Sequence, residues 1–394
     1  MSQDKGKNIV ITGLTSLFTD VSSEMVYPII ALYLQALGTG MVTLGAIEGV
    51  AESTASLLKI FSGTFADWTG KRKPLTIFGY SLSAVGKILF FFALGWPMVL
   101  LGRFIDRFGK GIRTAPRDAI IAESASSHSQ GKAFGLHRTF DTLGAVIGVL
   151  ITYFLLARFA HGEDRGTLAA YLPTFRLIIL ASILPAIFGV LILFLTVETG
   201  QGKRAPSFPL HFQTFKELSP QLKLFLLATL LFTLGNSSNQ FIFLRAAEKD
   251  VGFLPHQVVL LYFFYNVVYA LVSYPAGKLS DRAGRKWLLI GGFSLYSLSY
   301  YLIGWWPQGI LFTMIPYGLH MGITEGISKA LISDLAPAHK KATILGLHAM
   351  LLGIGLLPAS VMAGWLWKTW GPASPFLFGG TLSLSASFLL IFAL

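Results

Sequence analysis

Between the apolar run WPMVLL and the segment AIIAE the chain carries RFIDRFGKGIRTAPRD, from Arg103 to Asp118. Arg103, Arg107, Lys110, Thr114 and Arg117 recur at helical spacing, so on an α-helix they form one polar stripe. If that helix enters a membrane, its charges must be wetted or answered by counter-charges. The candidate counter-charges are Asp20 and Glu24, Glu48 and Glu52, and Asp141, and each of the two pairs is spaced i, i+4 on a single helix face. A rise of about 1.5 Å per residue from Pro97 places Arg103 about 9 Å and Arg107 about 15 Å deep, and Glu48 and Glu52 fall at about 10 and 16 Å by the same arithmetic. The chemistry on offer is proton exchange: a carboxylate beside an arginine releases its proton readily, whereas one left alone in a low dielectric retains it. The plain alternative for the same residues is a structural ion-pair network.

The elements that must hold these groups follow from composition. Of 394 residues 53% are hydrophobic and 13% charged, and apolar runs of roughly 20 residues, each able to cross a ~30 Å hydrocarbon layer, recur along the chain. Twelve spans are expected, near 8–35, 42–65, 75–95, 97–122, 132–158, 174–196, 221–245, 256–278, 287–305, 308–335, 342–366 and 373–393. The fold class is therefore all-α and polytopic, with the lipid bilayer as solvent. Net charge +12 does not point to nucleic acid, because Lys and Arg sit in short links between apolar runs. Placing the N-terminus inside puts Lys71, Arg72, Lys73, Lys132, Lys203, Arg204, Lys216, Arg282, Arg285, Lys286, Lys340 and Lys341 in the cytoplasm. That leaves chiefly Arg158, Arg165, Lys249 and Lys368 outside. Both termini are then cytoplasmic, in the cell inner membrane. The first apolar run lacks a small-residue cleavage site and reads as a retained helix. The chain has no cysteine, so disulfides, thiolate metal sites and cysteine nucleophiles are excluded; no metal site or cofactor is expected. H-E-x-x-H and G-x-x-x-x-G-K-(S/T) are also missing, and an enzyme is not expected.

The polar link at about 197–220 divides the chain into an N-terminal six-helix bundle, 1–196, and a C-terminal one, 221–394, and the halves repeat. GTFADWTGKRK aligns Gly63, Asp67 and Gly70 with Gly277, Asp281 and Gly284 of GKLSDRAGRKW. At a second constant offset Gly111, Ala119, Ile121, Gly135, Leu136 and His137 match Gly322, Ala330, Ile332, Gly346, Leu347 and His348. Two such registers indicate a tandem duplication with parallel halves.

On these residues the chain resembles the major facilitator superfamily over essentially its whole length. The family's loop pattern G-x-x-x-D-(R/K)-x-G-R-(R/K) is matched throughout by the second copy, including Arg282 and Arg285. The first copy keeps Gly63, Asp67, Gly70 and Arg72 but has Trp68 where a basic residue is usual. The antiporter signature G-x8-G-x3-G-P-x-x-G-G is matched in part: Gly135, Gly144 and Gly148 keep the spacing, Val149 replaces the proline and Thr152–Tyr153 the final pair. Small residues at this spacing also serve close packing in any bundle. The helix-four motif of an arginine with a polar residue and a glycine three and four positions on is met by Arg107, Lys110 and Gly111. The resemblance implies two six-helix bundles around a cavity, alternating access, and a proton-coupling role for Arg107. Because helices one and four line the cavity in that family, Asp20 and Glu24 are the favoured proton carriers, with Glu52 as the alternative.

The second half is built differently. GNSSNQF and YFFYNVVY supply Asn236, Asn239, Gln240, Tyr265 and Asn266, neutral groups and rings suited to a solute with apolar surface and a few polar atoms, or to interhelical hydrogen bonding. Glu325 and Lys329 are expected to pair. Lys87 lies within a span, with no role assigned. The reading is a monomeric, proton-coupled exporter of a small organic solute. The alternatives are an importer of an anionic solute and a transport-inactive receptor or scaffold. The topology is checked by Thr69→Cys in this cysteine-free chain: the thiol is expected to react with a membrane-impermeant maleimide only from the cytoplasmic side, and labelling from outside overturns the orientation.

Overall fold

A computed structural model of the chain describes residues 2–125, 130–159, 167–199, 218–336 and 341–393. Among these residues there is no strand. The α-helices are α1 Ser2–Val26, α2 Ile30–Ala36, α3 Met41–Thr69, α4 Arg72–Phe91, α5 Trp96–Ser124, α6 Gln130–Phe159, α7 Leu172–Leu193, α8 Pro220–Gly235, α9 Gln240–Ala247, α10 Pro255–Ala283, α11 Arg285–Trp305, α12 Ile310–Leu335, α13 Lys341–Trp370 and α14 Ser374–Ala393. With α1–α2 and α8–α9 each counted as one crossing, they make twelve spans. Most of the link expected at 197–220 lies outside the described residues.

The first span of each half is interrupted, where a single helix was expected. After α1 the chain tightens into a 3₁₀ turn, Tyr27–Ile29, before α2. Pro28 has no amide hydrogen to donate and disfavours helical geometry in the residue before it. The α8–α9 break falls at Asn236–Asn239, where short polar side chains compete with helical hydrogen bonding. The Ser238 hydroxyl accepts from the Gln240 amide at 3.3 Å. The Tyr296 hydroxyl donates to the Gly235 carbonyl at 3.2 Å, satisfying an acceptor that the break exposes.

Eight of the spans are long and apolar enough to cross a membrane by length and composition. The other four are α3, α5, α8–α9 and α12. Of these α3 carries Glu48, Glu52 and Lys59, α5 the charged stripe, and α8 is cut short by its break. Large apolar side chains such as Phe154, Leu271 and Phe392 stand exposed, as expected of helices whose outer face meets lipid.

The described residues form two compact units, Met1–Thr39 with Val50–Ser207, and Gly40–Gly49 with Phe208–Leu394. In the first, α1 packs on α6 and α7, and α4 on α5 and α7; in the second, α8 packs on α13 and α14, and α11 on α12 and α14. Counted by span, these are the same four pairings, so the duplication seen in the sequence is a duplication of packing. The first two turns of α3 belong with the second unit. A Cβ at Gly45 would overlap the Ser360 carbonyl, and one at Gly49 would stand 2.9 Å from Leu357 Cα.

At the far end of α9, buried Arg245 makes two parallel hydrogen bonds to Asp250, at 2.6 and 2.7 Å. They hold the Asp250 carboxyl below its ordinary value. Its stabilising contribution is therefore complete at neutral pH and is lost as pH falls through the folded-state value. The difference in melting temperature between wild type and Asp250→Asn is expected to be widest at neutral pH, to narrow below about pH 4 and to vanish in stronger acid. Thermal unfolding in detergent across pH checks this.

Candidate functional site

The charged stripe of α5 is where ionisable groups from several helices of the first unit meet. Arg103 is 1% exposed and Arg107 8%. Both reach Glu52 of α3: Arg103 Nη2 lies 3.7 Å and Arg107 Nε 3.3 Å from Glu52 Oε1. Each guanidinium also lies 5.9 Å from the centre of the Tyr27 ring, in the turn that interrupts the first span. Further along the stripe Lys110 is exposed and Thr114 and Arg117 are half-buried. Arg117 hydrogen-bonds its neighbour Asp118 at 2.8 and 2.9 Å.

A second charged face of α5, off the stripe that the spacing of its cations defines, turns toward α4. Asp106 Oδ1 lies 3.9 Å from the ammonium of Lys87, and Asp106 Oδ2 lies 3.8 Å from Arg107 Nε. Lys87 also donates to Ser23 Oγ on α1 at 3.4 Å. Two helical turns along, Arg113 sits 4.2 Å over the Tyr80 ring and hydrogen-bonds Ser83. Glycines bring these side chains together. A Cβ at Gly86 would stand 2.7 Å from the Gly102 carbonyl oxygen and one at Gly102 2.8 Å from that of Gly86; Gly79 and Gly109 are related in the same way. The pairs 79/86 and 102/109 are each seven residues apart, and that shared heptad spacing was the sequence signal for a tight α4–α5 contact.

Asp20 and Glu24 lie half-buried on α1. Two of the three signature glycines of α6 press on that stretch: a Cβ at Gly144 would overlap the Leu17 carbonyl and stand 3.1 Å from Asp20 Cβ, and one at Gly148 would overlap the Val21 carbonyl and stand 3.1 Å from Glu24 Cβ. Gly135 has open space where a Cβ would be, so close packing does not account for it. Asp141 pairs within its own helix, 3.5 Å from His137 Nδ1, and His137 Nε2 lies 2.8 Å from Ser16 Oγ. His137 was noticed only as a repeat position. Its duplicate, His348, stacks on Phe225 instead.

Glu48, fully buried, accepts a hydrogen bond from Ser238 Oγ at 3.2 Å within the second unit. The neutral groups of that unit bind one another. Asn239 accepts from the Tyr317 hydroxyl at 2.5 Å and donates to Tyr265 at 3.1 Å, while Asn236 accepts from Tyr296 at 3.1 Å. Gln240 is fully buried, and Asn266 donates back to the Tyr262 carbonyl of its own helix. Glu325 and Lys329 lie 3.7 Å apart, both exposed.

The repeated loops share one construction. Gly70 and Gly284 have φ of +63° and +87°, a conformation that favours glycine. Arg72 pairs with Glu123 at the end of α5, and Arg285 with Asp334 at the end of α12, at 2.7 Å. Glu123 and Asp334 are related by the same offset as Gly111 and Gly322. Lys73 donates to the Phe194 and Thr196 carbonyls after α7, and Lys286 to the Ile391 carbonyl of α14, so a loop lysine caps the last helix of each half. Asp281 lies 3.7 Å from Arg285 and Arg282 is exposed; the Asp67 side chain lies outside the described residues. Close approach explains Gly63, whose Cβ would stand 3.3 Å from Ala115 Cβ, but not Gly277, which faces open space.

The family model described as Major Facilitator Superfamily matches residues 12–247 and again 224–394. The chain belongs to the major facilitator superfamily. Among superfamily relatives, an uncharacterised MFS-type transporter of Methanocaldococcus jannaschii is 33% identical over 99% of this chain and 96% of its own length. The multidrug resistance protein MdtH of Yersinia enterocolitica is 23% identical over 90% and 86%. The crystal structure of the nucleoside transporter NupG shares the fold, with TM-score 0.79 at 14% identity over 98% of this chain and 98% of that one. The protein is thus a multi-pass membrane transporter of the superfamily for small-molecule solutes. Since α5 is held through backbone contacts, Gly102→Val is expected to destabilise the protein by about 1–3 kcal/mol. Gly291→Ala, at a position with nothing within 4 Å, should stay within about 0.5 kcal/mol. Thermal unfolding of both variants in the same detergent checks the difference.

Proposed function

We propose that this transporter exports a small organic solute across the cell inner membrane in exchange for protons, as a monomer with both termini cytoplasmic. The observation that carries the reading is Glu52, a carboxylate on a membrane-embedded helix, within 4 Å of two arginines. Protonating Glu52 removes the charge that holds Arg103 and Arg107, and restoring that charge recaptures them; the protonation state therefore biases the position of α5. Asp20 and Glu24 are further carriers in this reading, on a helix that α6 grips through Gly144 and Gly148. The bundles 1–196 and 221–394, joined by the link at 197–220, work by alternating access, with Gly63, Asp67, Gly70 and Arg72 of the first repeated loop and Gly277, Asp281, Arg282, Gly284 and Arg285 of the second as the gating motif. Asn236, Asn239, Gln240, Tyr265 and Asn266 contribute solute-facing surface in the second half. The direction, export, draws on the multidrug resistance relatives.

Uptake of an anionic solute is the second reading, and the exposed Lys110, one helical turn from Arg107 on the stripe, favours it. A thermal-shift screen against a solute library, anionic compounds included, supplies the transport probe. Its flux is then followed in proteoliposomes with and without a pH gradient. Arg107→Ala, Glu52→Gln and the double variant Asp20→Asn with Glu24→Gln, each verified as folded, are expected to lose about tenfold or more of the gradient-driven flux, while solute counterflow partly survives. An undiminished pH-gradient response in all three overturns proton coupling, and a hit list confined to anions accumulated inward favours the second reading.

A further inference from the structure

Arg107 Nε stands between two carboxylates on different helices, Glu52 of α3 at 3.3 Å and Asp106 of α5 at 3.8 Å. Lys87 of α4 faces the other oxygen of Asp106 at 3.9 Å. Four side chains of alternating charge, Lys87, Asp106, Arg107 and Glu52, therefore form one row. Its ends differ. Asp106 is buried, and its Cβ lies 3.0 Å from the point where Gly86 would carry one, so α4 fixes its backbone. Glu52 has the longer side chain and is about one-third exposed at 32%. The other charges acting on the row are Arg103, Lys110 and Arg113 on α5, Lys59 on α3 and Asp20 on α1.

A buried guanidinium that loses its carboxylate partner is strongly unfavourable unless another is within reach. We propose that Asp106 is the second docking acid of Arg107: when Glu52 takes a proton from water, Arg107 passes to Asp106, and Lys87 sets how tightly Asp106 receives it. Asp106 is then a positioning residue that stays ionised throughout, and it makes protonation of Glu52 feasible by giving the displaced arginine a partner. The inference rests on the reading of Arg107 and Glu52 as the coupling pair.

The test needs no transported solute. Proton uptake by the purified full-length chain in unbuffered detergent is followed with a pH-indicator dye, and the step lost in Glu52→Gln is the one monitored. Asp106→Asn should move that step to lower pH by about one unit, a tenfold loss of proton affinity, and Lys87→Met should move it the other way. Direct field effects have the same signs, so the deciding variant is Lys87→Met with Asp106→Asn. That double variant deletes an adjacent opposite pair, leaves the local net charge unchanged, and avoids stranding a buried lysine. If Arg107 needs Asp106, the double variant still titrates about one unit low; if only fields matter, it titrates within a few tenths of a unit of wild type, and the proposal is overturned. Arg107→Gln separates the two levels. It should raise the midpoint of the Glu52 step; if it leaves that midpoint unchanged, the coupling pair itself fails, whereas a raised midpoint with a wild-type-like double variant removes only the role of Asp106.

Discussion

An ionised side chain within a membrane-spanning bundle has to meet an opposite charge or water, and most of the first unit is arranged around that requirement. Helix α5 carries buried cations on two faces. One face is answered from α3 by Glu52; on the other, Arg113 lies on the Tyr80 ring and hydrogen-bonds Ser83 of α4, while Asp106 faces both Arg107 and the Lys87 ammonium of α4. Each answer needs two helices to come close: glycines 79, 86, 102 and 109 allow it between α4 and α5, and Gly111, whose Cβ would stand 3.2 Å from the Ala55 carbonyl oxygen, allows it between α5 and α3. The charge pattern and the small-residue pattern are two parts of one construction. Larger residues at the glycines would push the helices apart and strand the charges.

The halves share a backbone plan and differ in what they bury. The same four helix pairings recur, and each loop lysine caps the end of its half's last helix. Yet the first unit gathers carboxylates, arginines and lysines, while the second surrounds its broken span with tyrosine and asparagine hydroxyls and amides. His137 and His348 make the contrast at a single duplicated position, one in a network with Ser16 and Asp141, the other against an aromatic ring. A duplication supplies two copies of a scaffold, and it leaves each free to specialise in ionic or in neutral polar chemistry.

Much of this was legible in the sequence because it depends on composition along one helix. Twelve apolar runs, the doubled loop motif and the i, i+4 carboxylates are each properties of a single segment. The interrupted spans were not legible in that way, since an apolar run has the same length whether or not its backbone is broken at Pro28 or at Asn236. The Lys87–Asp106 pair needed the relative rotation of two helices, which neither helix states alone. Glu48 and Glu52 share a face, but α3 belongs to one compact unit at its start and to the other beyond Gly49, so a face does not specify a neighbour. Arg113 lies off the stripe and is buried on the Tyr80 ring, a cover supplied by α4 that the sequence of α5 does not state.

The glycine contact between α4 and α5 also bears on how such a protein can change over evolutionary time. Where two backbones touch, no conservative replacement exists, because the smallest step up from glycine already collides with a carbonyl oxygen. Variation is then left to other positions: to side chains away from the contact, or to glycines with room around them such as Gly277, Gly326 and Gly346. The charged array is thereby insulated from the drift that diversifies its surroundings, and substrate range can shift while the part of the molecule that handles charge stays in place.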